Sequence, residues 1–306
     1  MIRNFNPITE TFLSNLRLTQ KRSERASTEV SSGYRVSAPS DSPDDVVTLM
    51  RIDSNSRRTS QVQTNLTRLM NEVTTADSTL QIAITVLDRA NVLGAQALGV
   101  GLTAEQVEAL GIQVKDLQQE MVNLSQVNVQ GRYIFSGDRD QAPQFTLDPT
   151  NTETGVLRAF DTSETRQITD MFGNTFTAAV TAEEIFDRRT VSGPTEENVF
   201  AALESLRQGL MANDPVQIGD AIAKVKAAGE WLNTNLAYYG AVENRVQESQ
   251  SIAAKYQSEW IVEKGEIRDT DYAAAISELT ATKTQESASL AAQAQFGPRS
   301  LFDYLK

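Results

Sequence analysis

The chain has 306 residues, with 28 Lys and Arg against 40 Asp and Glu, which gives a formal net charge of −12. This length predicts more than one structural unit, and the acidic balance argues against nucleic-acid binding, which depends on cationic side chains that neutralise phosphates. The chain has no Cys and no His, so thiol nucleophiles, most zinc sites and the commonest general base are ruled out. No catalytic constellation is found, so we predict a non-enzymatic protein that uses no cofactor and no metal.

The beginning of the chain lacks a basic segment followed by an apolar one, which is the pattern of a cleaved secretory signal. No run of about 18 apolar residues occurs that could span a membrane. We therefore expect neither a cleaved signal nor a membrane span, and a protein of this kind that leaves the cell must use another export route.

The distribution of the eight prolines predicts two long helical regions. No proline falls between residues 44 and 142 or between 216 and 297, and proline breaks helix interiors. A shorter amphipathic helix is predicted before the first region, from Asn6 or Thr9 to Ser31, and it ends at Ser32-Gly33. The turn-rich segment 34–43 follows it.

The first proline-free region predicts a very long helix from about residue 43 to residue 98. Ser42 is the expected N-cap, and Asp44 and Asp45 in the first turn favour the helix dipole. Apolar residues then alternate in steps of three and four, which is the spacing of a coiled-coil seam. That seam consists of Val62, Leu66, Leu69, Val73, Ala76, Leu80, Ala83, Leu87, Ala90, Gly94 and Ala97.

A third helix is predicted from about Ala104 to Leu124, and after it the pattern changes. Aromatic and β-branched residues in short runs, separated by turn signals such as Asp148-Pro149, predict a small β-rich insertion over residues 138–195. The expected strands are 144–147, 156–160, 166–168 and 176–180, with one helical turn at Ala182–Phe186.

Helical periodicity resumes after the insertion, with Thr195 as a plausible cap. A second very long helix is predicted from Val216 to about Glu266, with Tyr239, Val246, Ala253, Trp260 and Ile267 recurring every seven residues. Asp269 or Thr270 then caps a final helix over about 271–295.

Together these elements predict a mainly α fold. It is an antiparallel, coiled-coil-like bundle of long helices made from both ends of the chain, with the β-rich insertion projecting from its far end. We expect terminal helices at 1–43 and 268–306 that order on assembly, a helical rod domain at 44–137 and 196–267, and an outer β-rich domain at 138–195.

Two interpretations of the apolar stripes remain open. The bundle can simply bury its own core, or some stripes can be left for neighbouring subunits. The residues that we predict to form assembly seams are Phe5, Ile8, Phe12, Leu16, Leu66, Leu69, Val73, Leu80, Leu87, Val246, Trp260, Ile276, Leu279, Leu290, Leu301 and Leu305.

Both ends of the chain resemble the flagellin superfamily. Ser31-Ser32-Gly33-Tyr34-Arg35-Val36, followed by the Asp-rich turn 40–45, is similar to the N-terminal signature of that family. Asp269-Thr270-Asp271-Tyr272-Ala273 and the Ala-rich segment after it are similar to its C-terminal region. The resemblance covers about residues 1–137 and 196–306.

Two further motifs are similar to the hook-associated members that join hook and filament, namely Gly131-Arg132-Tyr133-Ile134-Phe135-Ser136-Gly137 and Ser300-Leu301-Phe302-Asp303-Tyr304-Leu305-Lys306. The resemblance implies a structural, extracellular role in the bacterial flagellum. The chain would be exported through the flagellar export apparatus, with help from an export chaperone. It would self-associate as an adaptor ring, contact a neighbouring hook-associated protein and seat flagellin. The alternative is a flagellin that forms the filament itself.

Overall fold

The computed structural model describes residues 7–162, 167–170 and 172–295, without the side chains of 7–9 and 295. Seven helices are seen in this part of the chain, and four two-stranded antiparallel sheets lie between the third and fifth helices. The chain divides into two compact units, Met1–Arg58 with Lys255–Lys306 (unit 1) and Thr59–Ala254 (unit 2). The three-part division expected from the sequence stays a prediction.

The helices follow the proline-free regions closely. Their bounds are α1 Pro7–Ser32, α2 Pro43–Ala97, α3 Ala104–Ser125, α4 Ala182–Phe186, α5 Val199–Met211, α6 Pro215–Arg268 and α7 Tyr272–Gln295. The 55-residue α2 and the 54-residue α6 confirm the two predicted long helices. Thr103 caps α3 in a capping box with Gln106, which satisfies backbone N–H groups at its start.

The helices of unit 1 contact each other through small side chains and polar side chains. In this unit the Lys264 ammonium lies 2.5 Å from the Asp53 carboxylate, joining α6 to α2. Helices α1 and α7 pack side by side, as predicted for the two ends of the chain. The Arg22 guanidinium lies 2.7 Å from the Glu278 carboxylate across that pair.

Unit 2 contains the main hydrophobic core. Its parts of α2 and α6, together with α3 and α5, bury their apolar stripes against each other and against the insertion. Phe135, Phe186 and Phe200 form an aromatic centre, with the Phe135 and Phe186 ring centroids 5.7 Å apart. Ring pairs at this spacing and edge-on angle are favourable beyond their buried area.

The short strands form four hairpins rather than one continuous sheet, the first of them before the insertion and the other three within it. The strands are β1 Asn128–Val129, β2 Arg132–Tyr133, β3 Phe145–Leu147, β4 Val156–Arg158, β5 Gln167–Thr169, β6 Thr175–Thr177, β7 Arg189–Thr190 and β8 Gly193–Pro194. Each odd-numbered strand pairs with the next one. The four predicted strands correspond to β3–β6, and the predicted helical turn is α4. The β1–β2 and β7–β8 hairpins were not predicted, because two-residue strands carry no alternation that sequence reasoning can detect.

The insertion lies along α6, which corrects the expectation that it projects from the end of the rod. The Trp231 indole donates to the carbonyl of Glu184 at 3.0 Å, and the Tyr238 hydroxyl donates to the carbonyl of Thr177 at 3.0 Å. The Arg245 guanidinium lies 4.2 Å from the centroid of the Phe176 ring. These anchors lie on a stretch of 15 residues of α6, so the insertion is fastened to its side.

A buried ionic network fixes the insertion internally. Asp187 is 1% exposed, and its carboxylate lies 2.6 Å from Arg158 and 3.0 Å from Arg189. It also accepts a hydrogen bond from Asn198, the N-cap of α5, at 2.9 Å. The prediction that Thr195 caps α5 is wrong. The backbone N–H and the hydroxyl of Thr195 donate to the carbonyl of Arg188, and the cap lies three residues further on, at Asn198.

A second buried carboxylate joins α3 to α5. Glu204 accepts hydrogen bonds from Gln118 at 2.8 Å and from Arg207 at 2.6 Å. Burial raises the pKa of Glu204, but the hydrogen bonds from Arg207, Gln118 and Gln208 outweigh it, so the pKa lies below its usual value. Glu204 is therefore held ionised and satisfied, which is the condition for a buried charge to be tolerated.

Candidate assembly surfaces

The α1–α7 pair leaves much of its apolar surface uncovered. The buried positions include the small residues Ala26 and Ala275, which allow close approach but bury little area. By contrast, Leu18, Ile276 and Leu290 are half or more exposed. A pair of amphipathic helices with apolar residues outside its own contact presents surface that another subunit can cover.

The connectors at residues 33–36 and 267–272 are joined in unit 1, and we call this arrangement the connector clasp. Tyr34 and Asp269 form an isolated antiparallel β-bridge. The Arg268 guanidinium lies 3.9 Å from the centroid of the Tyr34 ring, within the range of a cation–π interaction. The clasp therefore ties the segment after α1 to the segment before α7.

Arg35 extends the clasp to the start of α2. Its guanidinium donates to the carbonyl of Ile267 at 2.6 Å and to the carboxylate of Asp45 at 3.0 Å. Hydrogen bonds from Ser42 and then from Arg35 lower the pKa of Asp45. Ser42, which we expected to serve as the N-cap of α2, thus contacts the carboxylate of Asp45 through its side chain.

Gly33 is required by the clasp for two reasons. Its φ of +76° is strained for residues with a side chain, and an added Cβ would lie 2.6 Å from the Tyr272 hydroxyl. We expect Gly33→Ala to destabilise unit 1 by about 1–2 kcal/mol. Adding Tyr272→Phe should recover the part due to the clash but not the part due to φ. Hydrogen exchange at the clasp amides measures both effects, and equal protection in wild type and Gly33→Ala would contradict this account.

The structure places the central predicted seam residues inside unit 2. Leu66, Leu69, Val73, Leu80, Leu87 and Val246 are buried in its main hydrophobic cluster, so the chain's own helices cover this part of the seam. Periodicity found the apolar stripe but could not show which helix covers it.

The peripheral predicted seam residues are more accessible. Phe12, Leu16, Trp260 and Leu279 are partly buried in unit 1, whereas Ile276 and Leu290 are about half exposed. The predicted residues Phe5, Leu301 and Leu305 lie outside the described residues, as does the side chain of Ile8. That the seam residues mediate assembly stays a prediction.

Sequence reasoning missed several other large apolar residues that the structure leaves exposed. Val47 and Met50 on α2 are each 69% exposed, and Ile261 and Val262 on α6 are 62% and 57% exposed. In the sequence, each of these residues is an apolar residue on the polar side of its helix. This pattern can be recognised only when it is known which side of the helix is buried.

Family models match both the N-terminal and the C-terminal parts of the chain. The bacterial flagellin N-terminal helical region matches residues 4–140, and the bacterial flagellin C-terminal helical region matches residues 222–305. Together they account for more than two thirds of the chain. The chain belongs to the bacterial flagellin family, and the resemblance noted at its two ends is confirmed.

Solved structures with the same fold include flagellar hook-associated proteins. One described as a flagellar hook-associated protein of Vibrio parahaemolyticus is 15% identical, with a TM-score of 0.65; the match covers 75% of this chain and 100% of that one. Hook-associated protein 3 of Legionella pneumophila is 12% identical, with a TM-score of 0.61 and coverage of 71% and 98%. FlgL of Bacillus cereus is 17% identical, with a TM-score of 0.55 and coverage of 72% and 100%.

At these identities the likeness establishes the fold. No curated protein matches the sequence. Among the described residues, no helix combines the length and apolar character needed to cross a membrane.

Proposed function

We propose that this protein is a structural component of the bacterial flagellum that forms an adaptor ring between hook and filament and seats flagellin. The observation that carries the proposal is the coverage of the similar structures. The fold matches 98–100% of the hook-associated proteins of Vibrio parahaemolyticus and Legionella pneumophila. The motifs at 131–137 and 300–306 support the same choice within the family.

The surfaces of unit 1 support a role that depends on neighbours. Helices α1 and α7 bury mainly small residues against each other and expose Leu18, Ile276 and Leu290. Short or thinly apolar helices are marginal in water unless they are packed. We infer that the terminal helices gain their full order when copies pack together, and that the ring contacts a hook-associated protein on one side and flagellin on the other.

The proposed function is structural and includes no catalysed reaction. The chain has neither His nor Cys, and among the buried carboxylates Asp187 and Glu204 are paired with arginine and amide side chains. We infer a non-enzymatic protein, exported through the flagellar apparatus without a cleaved signal and located outside the cell at the flagellum.

Deletion of the gene tests the adaptor role. We expect cells without this protein to retain hooks that lack filaments and to release flagellin into the medium, because flagellin has no ring on which to assemble. Electron microscopy of the cells and immunoblots of the medium measure the two effects. Re-expression of the wild-type chain is the control. Filaments of normal number and length in the deletion strain would contradict the proposal.

A further inference from the structure

One end of unit 2 is formed by two turns that lie together. A Cβ added to Gly94 near the end of α2 would lie 2.9 Å from Ile222 of α6, and one added to Gly111 of α3 would lie 3.0 Å from Met211 of α5. The α2–α3 turn and the α5–α6 turn therefore share one end. We call residues 98–112 and 211–220 the acidic end.

The surface of the acidic end is both apolar and anionic. Its segments contain four carboxylates and no Lys or Arg. The carboxylates are Glu105, Glu108, Asp214 and Asp220. Large apolar side chains are exposed between them, at 44–108% of their full accessibility. These are Leu98, Val100, Ile112, Met211 and Val216. Five large apolar side chains exposed on two adjoining turns suggest a docking surface.

Unit 1 carries a surface of the opposite charge on α2. Val47, Met50, Arg51, Arg57 and Arg58 follow the i, i+3, i+4, i+10, i+11 spacing of one helix face, and all are exposed. We call these five residues the arginine face. The exposed Asp44 lies one turn before Val47 on the same side of α2.

The carboxylates near the arginine face do not cancel its charge. Asp53, next to it on α2, forms an ion pair with Lys264 at 2.5 Å. Arg51 forms an ion pair with the partly exposed Glu263 at 3.6 Å. Within the part of the chain that the structure describes, Arg57 and Arg58 form no ion pair. The face is therefore available to an anionic partner.

We propose that the acidic end of one copy docks on the arginine face of a second copy. Each surface offers exposed aliphatic side chains for burial and the charge that the other lacks. End-to-end contact between two acidic ends, or between two arginine faces, would bring like charges together and is disfavoured. The contact is therefore head-to-tail, a class of interface that generates rings or helical assemblies. The inference rests on the proposed role as a self-associating flagellar subunit and specifies two of its contact surfaces.

Charge reversal with complementation tests the contact. One variant, Glu108→Lys with Asp220→Lys, makes the acidic end cationic without touching Asp214, which accepts hydrogen bonds at the start of α6. The other, Arg57→Glu with Arg58→Glu, makes the arginine face anionic. Sedimentation velocity of the full chain at low salt measures self-association over a range of concentrations.

We expect each reversed variant alone to self-associate at least about tenfold more weakly than wild type, with the difference shrinking in high salt as charges are screened. An equimolar mixture should recover association, because each reversed surface meets its complement in the other variant. The control Asp88→Lys with Glu230→Lys makes the same net charge change as the acidic-end variant, at exposed positions outside both surfaces, and should behave as wild type.

Cross-linking gives a second readout that does not depend on charge. Because the natural chain has no Cys, mixing a Val216→Cys copy with a Met50→Cys copy and adding a bismaleimide should yield a covalent dimer. A Val92→Cys copy, exposed but outside both surfaces, replaces Met50→Cys as the control and should not give it.

Reversed variants that associate like wild type, a mixture that fails to recover, or a wild-type chain that stays monomeric with no Val216–Met50 cross-link would each overturn the contact. Failure here is distinguishable from failure of the adaptor role. A chain that still restores filaments to the deletion strain, but does not associate through these surfaces, would retain its proposed function and lose only this interface.

Discussion

Replacing Leu80 by aspartate is expected to unfold unit 2. Leu80 is fully buried in the main cluster. Truncating such a leucine costs about 2–5 kcal/mol, and an unpaired carboxylate in the same place adds its own desolvation cost. The total, at least about 5 kcal/mol, is comparable with the whole stability of many domains. Urea denaturation followed by circular dichroism measures the change.

Ile82→Asp is the matched control for Leu80→Asp. It introduces the same charge two residues away in α2, at a side chain that is 48% exposed. We expect it to change stability by less than about 1 kcal/mol. Equal losses in the two variants would contradict the account, because they would place both sides of α2 in the core. If Leu80→Asp unfolds unit 2 as expected, any loss of assembly in this variant follows from loss of the fold and not from a missing contact between subunits.

Replacing Asp187 by alanine is expected to detach the insertion from α5. Asp187 is buried, and its loss leaves Arg158 without its 2.6 Å partner and removes the hydrogen bond from Asn198. Breaking a buried ion pair by removing one partner costs about 3–5 kcal/mol when the remaining charge has no other partner, and Arg158 keeps Glu183 at 3.1 Å, so the lower end of that range applies. We expect a loss of that size in the free energy of unfolding of unit 2, with faster hydrogen exchange in residues 182–200.

Asp161→Ala is the control that separates the effect of burial from the effect of removing a carboxylate beside Arg158. Asp161 lies 3.0 Å from the same Arg158 guanidinium, but its side chain is 84% exposed. Exposed ion pairs contribute about 0–1 kcal/mol, so this variant should stay close to wild type. A destabilisation as large as that of Asp187→Ala would show that burial does not decide the strength of this network.

The long helices could be predicted because their signals are local. Proline positions and apolar periodicity determine where a helix can run, and the ends of α2 and α6 lie within about two residues of those expected. The start of α5 was misplaced because the choice between Thr195 and Asn198 as the cap depends on Arg188 and Asp187, which hold this segment through tertiary contacts.

The path of the insertion could not be predicted for the same reason. Its hairpins are two or three residues long, and its position along α6 depends on single contacts such as that of Trp231 with Glu184. Trp231 looks like any other residue on a helical face in the sequence. Likewise, the stripe containing Leu66 and Leu80 has the same spacing whether its partner is the same chain or another copy. Only the packing of unit 2 shows that the chain covers it.

The adaptor role is tested most directly by immunogold electron microscopy of intact flagella with an antibody against residues 138–195. The account predicts a single labelled band between hook and filament. Label along the whole filament would contradict the account and identify the protein as a flagellin. Flagella without any label would show that the protein is not a component of the flagellum.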